Sequence, residues 1–94
     1  MAFEFDAAKS EANRAKHGLD FSAAQKLWAD VDAVELSARS EAEPRKMLIA
    51  KADGKIWSAI FTERGDCIRI ISVRRARTNE TAIYEQTEDQ QPES

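Results

Sequence analysis

Hydrophobic and polar positions change period twice along this chain. Phe3-Glu4-Phe5 alternates as a short strand does, and Asp6 stands where a helix N-cap is expected. In the helix that follows, Ala8, Ala12 and Ala15 recur on one narrow face, while Lys9, Glu11 and Lys16 point elsewhere. His17-Gly18 closes it, because glycine accepts the left-handed conformation of a helix C-terminus. Asp20 opens a second helix with Phe21, Ala24, Leu27 and Trp28 as its apolar stripe. The middle then shifts to period two. Residues 31–36 read as a strand and 37–44 as a polar loop. Residues 45–52 run into Asp53-Gly54, a strong two-residue hairpin signal. The return strand, 55–63, sets Trp57, Ala59 and Phe61 on one face and Ile56, Ser58 and Ile60 on the other. Arg64-Gly65-Asp66 turns into a β-branched strand over 67–74. Thr78 caps a final helix through about Glu85, in which Glu80 and Tyr84 are one turn apart and suited to packing on the sheet. Trp28 and Trp57 read as core.

The expected fold is α+β: two N-terminal helices, a small antiparallel sheet (a three-strand meander plus one or two edge strands), and a C-terminal helix. With 94 residues there is room for one domain, placed at 1–86, and a polar tail at 87–94. No run approaches the roughly 20 apolar residues of a membrane-spanning helix. The opening lacks the basic and apolar regions of a signal peptide, and Cys67 has no partner for a disulfide, so the expected location is the cytoplasm.

The net charge of -3 conceals a segregated pattern. Between residues 64 and 77, five arginines oppose one aspartate, +5 − 1 = +4, whereas residues 80–94 carry five acids and no base, −5. A basic patch of this kind meets a polyanion even when the total is negative, although a solvated, self-compensating surface has the same composition. There is no glycine-rich phosphate loop, zinc spacing or nucleophile elbow, so no cofactor or metal is expected. The remaining chemistry is that of guanidinium, which binds phosphate oxygens bidentately and never loses its charge.

The residues Phe3-Glu4-Phe5-Asp6, Lys9, Asn13, Lys16-His17-Gly18 and Phe21 resemble the opening of the BrnT family of bacterial type II toxins. Residues 69–76, followed by Glu80 and Tyr84, resemble that family's second signature, with Arg45, Ile49 and Thr62-Glu63-Arg64-Gly65 at matching places between. Phe5 stands where tryptophan is common, and Ala50 where glycine is common. The resemblance spans residues 3–85 and implies a RelE-like ribonuclease fold, an RNA-cleaving toxin that arrests translation and growth, and neutralisation by a BrnA-like antitoxin. It further implies that operator DNA is met only through that antitoxin.

Metal-free RNA cleavage needs a deprotonated 2′-hydroxyl, positive charge on the crowded phosphate, and a proton for the leaving 5′-oxygen. Arg64, Arg69 and Arg74 are the candidates for the charge. Strict alternation sets Arg69 and Arg74 on opposite faces of one strand unless a bulge intervenes. His17, Lys51 and Glu63 are the candidates for moving protons. Each also has a plain structural reading: His17 as a helix-end cation, Lys51 as a solvated lysine, Glu63 as an ion-pair partner. A non-catalytic antitoxin-binding module acting in autorepression, and an unrelated small RNA-binding domain, are the alternatives of other classes.

Overall fold

The computed structural model describes residues 1–38 and 44–89, the side chains of 87–89 excepted. Its strands are β1 (Ala2–Glu4), β2 (Val34–Ala38), β3 (Arg45–Ala52), β4 (Lys55–Arg64) and β5 (Cys67–Arg75), and its helices are α1 (Ala7–His17), α2 (Phe21–Ala24) and α3 (Thr78–Asp89). They build one mixed sheet in the order β1-β5-β4-β3-β2. The meander of β3, β4 and β5 is antiparallel as expected, but β1 joins β5 in parallel, so the sheet is not purely antiparallel. A strand precedes the helices, and the second helix is a single α turn continued by a 3₁₀ segment, Gln25–Ala29.

Local chemistry explains most boundaries. Asp6 and Asp20 cap their helices by accepting from the Lys9 and Ala23 amides, and Gly18 ends α1 with φ +86°. Asp53 and Gly54 both have positive φ, the requirement of the tightest hairpin turn. The strand expected from Val31 starts only at Val34, because Asp30 accepts from the Asp32 amide at 3.0 Å and holds a turn there. α3 continues past Glu85 to Asp89. Residues 39–43 of the expected loop and 90–94 of the tail lie outside the described residues.

Register assigns the two faces of the sheet. Phe3, Leu48, Ala50, Ala52, Trp57, Ala59, Phe61, Ile68, Ile70 and Val73 share one face, packed under Phe21, Ala24 and Leu27 of α2 and its extension. Trp28 is wedged edge-on between Phe3 and Phe61, both at 5.2 Å. Ile49, Ser58, Thr62, Arg69 and Arg74 belong to the opposite face, on which α3 lies against β3 and β2. α3 is fastened at Glu80, and again at Tyr84, whose hydroxyl donates to Asp30 at 2.7 Å.

The alanine face expected of α1 is not its buried face. Ala8, Ala12 and Ala15 are exposed, and the buried residues are Ser10 and Asn13. Beyond the end of the short β1, one edge of β5 has no neighbouring strand among the described residues, and Asn13 takes that place. Its amide donates to the carbonyls of Leu19 and Val73 at 2.7 and 2.8 Å, while its side-chain oxygen accepts from the Val73 amide at 3.1 Å. Ser10 accepts from the Phe21 amide at 2.9 Å. Asn13→Ala would leave three buried backbone groups unpaired. It is expected to cost about 2–3 kcal/mol of unfolding free energy in urea titrations; a loss below about 0.5 kcal/mol would show that Asn13 does not complete the sheet edge.

Candidate active site

A β-bulge organises the arginines. Ile60 pairs with Ser72 but the next residue, Phe61, pairs with Ile70, so Ile71 is an extra residue in β5. The insertion reverses the parity of the strand. Arg69 pairs with Thr62 and Arg74 with Ser58, and because Thr62 and Ser58 share a face of β4, both arginines do too. They are four β4 positions apart, about 13 Å at roughly 3.3 Å per residue. Arg64, opposite Cys67, has the same parity. The remaining two arginines of the basic segment take no place in this row: Arg75 lies over the Trp57 ring at 5.6 Å, on the other face, and Arg77 is exposed at the start of α3.

The three aligned arginines differ in their surroundings. Arg69 is half-buried, and among the described residues its ion pair is a long 3.8 Å contact with Glu4 on the neighbouring β1. Arg64 is exposed at the end of β4. Arg74 is held by a two-pronged pair with Glu80, at 2.7 and 2.8 Å. Glu80 is only 6% exposed and also accepts from the Ser58 hydroxyl and the Arg77 amide. The Arg74 guanidinium, against the opposing effect of burial and with help from these two donors, pushes the Glu80 carboxyl down to about 2. The same pairing raises Arg74 above its ordinary value. Among the described residues, the acidic C-terminal segment thus touches the basic strand at the buried Glu80 carboxylate.

The proton-transfer candidates are dispersed. His17, at the end of α1, lines a groove of about 240 Å³ with Lys9, Asn13, Lys16, Phe21, Ile71 and Ser72. Lys51 is at the hairpin end of β3, with its ammonium 5.9 Å from the centre of the Tyr84 ring. Its amide donates to Asp30 at 2.8 Å. Burial works against the Asp30 carboxylate, but this bond and those from Tyr84 and Asp32 outweigh it and hold Asp30 below the usual carboxylate range. Glu63 has the parity of Trp57 and Phe61 and turns to the face away from Arg69, where it pairs with Lys46. Lys46 is raised in turn, by Glu63 first and then Glu35. Glu63 is therefore not brought together with the arginines.

Sequence reasoning left Arg45 out of the site. One step past the Lys46–Phe61 pair, it comes opposite Thr62, and Arg69 flanks Thr62 from the other side. Arg45, Thr62 and Arg69 form a row across three adjacent strands. Arg45 Nε and Thr62 Oγ1 are both buried and have no hydrogen-bond partner among the described residues. The signal for this row was present: a two-residue turn at Asp53-Gly54 pairs Ala52 with Lys55, and counting outwards from there brings Arg45 to Thr62.

A small α+β chain with guanidinium groups aligned on one sheet face suits recognition of a polyanion. A family model for the ribonuclease toxin, BrnT, of type II toxin–antitoxin systems matches residues 5–80. The chain belongs to this family of ribonuclease toxins. No curated protein matches the sequence. Among the described residues, no helix is long and apolar enough to cross a membrane.

Proposed function

We propose that this chain is a metal-independent endoribonuclease of RelE-like fold, which arrests translation and growth in the cytoplasm by cleaving RNA. A BrnA-like antitoxin neutralises it by covering the arginine face, and operator DNA is reached only through that antitoxin. The single observation that carries the reading is the bulge at Ile71, which puts Arg69 and Arg74 on one face with Arg64 and Arg45. A guanidinium row is suited to the extra negative charge that builds on phosphorus as the 2′-oxygen attacks. We assign that charge to Arg69 first, with Arg64, Arg45 and Arg74 around it. Proton movement is assigned to His17, whose imidazole can both donate and accept and which shares a groove with Ser72 of β5. Lys51 and Glu63 are left to hold the hairpin end and the far face.

The purified chain incubated with RNA in EDTA is expected to release fragments ending in 2′,3′-cyclic phosphate. Cleavage lost in EDTA and restored by Mg²⁺ would overturn metal independence. The alternative, a non-catalytic antitoxin-binding module in autorepression, draws on one observation, that Glu80 already occupies Arg74. Absence of RNA fragments from a folded sample would favour it.

A further inference from the structure

A groove opens between α1 and the bulge of β5. Its lining is apolar at Ala12, Phe21 and Ile71, and its rim carries Lys9, Lys16 and His17 with no acidic residue. α1 brings the cations together: Lys9, Asn13 and Lys16 are three or four residues apart, hence on one side of the helix. Among the described residues neither lysine forms a salt bridge, and both are exposed. Asn13 is spent on the β5 edge, so it fixes the distance between helix and strand rather than offering itself to a ligand. The bulge shapes the other wall by turning Ile71 into the groove and leaving Ser72 at its lip, three residues along the strand from Arg69.

We infer that this groove is a nucleotide subsite, taking the base and flanking phosphate of the RNA residue next to the bond cut at the arginine face. The inference rests on the ribonuclease reading. A volume of about 240 Å³ falls below the roughly 300–1,000 Å³ of sites for drug-sized molecules, and suits one planar base against the apolar wall of Ala12, Phe21 and Ile71. Lys9 and Lys16, on the rim, meet the phosphate as mobile point charges. Single-stranded RNA is commonly held in this way, with a base against a flat or apolar surface and the backbone on cations.

The test separates the groove from the nuclease. Binding of a non-cleavable 2′-O-methyl RNA oligonucleotide is measured against salt for the wild type, the double variant Lys9→Ala/Lys16→Ala, and a Lys55→Ala control at the distant hairpin. Both groove lysines are exposed on a helix, where alanine is well accepted, so the fold is retained. The double variant is expected to lower the slope of log K against log salt by about 0.7, the value for one phosphate contact on a single strand, with the control unchanged. In cleavage of ordinary RNA it is expected to raise KM about tenfold and leave kcat nearly unchanged. An unchanged salt slope would overturn the subsite even if the wild type cleaves RNA. A fall in slope with no cleavage by the wild type would keep the subsite and overturn the nuclease. Weakened antitoxin association with unchanged RNA binding would make the groove a protein-docking surface and likewise overturn the inference.

Discussion

Arg69→Ala is expected to lower kcat/KM for RNA cleavage by about 100- to 1,000-fold while the protein stays folded, the typical loss when one oriented donor to a developing oxyanion is removed. Two features single this arginine out. It flanks Thr62 on the face shared with Arg74 and Arg45, and its ion pair among the described residues, with Glu4 at 3.8 Å, is too long to fix it. Phosphate therefore meets a guanidinium with most of its donors unspent. A half-buried but loosely paired side chain contributes little to stability, so truncation should cost less than about 1 kcal/mol. The decisive measurement pairs single-turnover cleavage in EDTA with urea unfolding of the same sample. Wild-type kcat/KM in a folded Arg69→Ala protein would remove Arg69 from the chemistry.

How much of this could be seen in the residues themselves depends on the kind of force involved. β3, β4 and β5 were legible because Trp57, Ala59 and Phe61 alternate cleanly and Asp53-Gly54 admits one tight turn. The same alternation already shows that Glu63 keeps company with Phe61 and not with Arg64, a reading that the proximity of Glu63 and Arg64 in the chain obscures. The bulge was not legible. Ile70, Ile71 and Val73 are all β-branched and apolar, and an extra residue among them leaves no mark in composition, yet it decides that Arg69 and Arg74 share a face. α1 misled for a different reason. Apolar periodicity selected its alanines, whereas the helix is seated by hydrogen bonds from Ser10 and Asn13, which that periodicity does not detect. The parallel pairing of β1 depends on contacts more than 60 residues apart in the chain, and nothing in Phe3-Glu4-Phe5 specifies the direction of its partner.

The contact between Arg74 and Glu80 is expected to make this protein acid-sensitive and to make Arg74→Ala a stability variant as much as an activity variant. Glu80 titrates near 2 in the fold against an ordinary value of 4.5. Because its folded value is depressed, the stabilisation is present in full above about pH 4.5 and is lost as the pH falls towards 2. A difference of that size corresponds to about 3 kcal/mol. Arg74→Ala should remove a similar amount at pH 7, since Glu80 is then buried with only Ser58 and the Arg77 amide as donors. The gap between wild type and variant in urea titrations should narrow as the pH is lowered and nearly vanish by pH 2. A gap that stays constant across that range would show that the pair does not stabilise the fold. Glu80→Gln then separates structure from chemistry, because it breaks the ion pair but leaves the guanidinium in place. If Arg74 also holds phosphate, Arg74→Ala assayed under conditions where it is folded loses cleavage about 100-fold, while folded Glu80→Gln keeps it. Equal activity in the two folded variants would reduce Arg74 to a clamp for α3 and leave the phosphate to Arg69, Arg64 and Arg45.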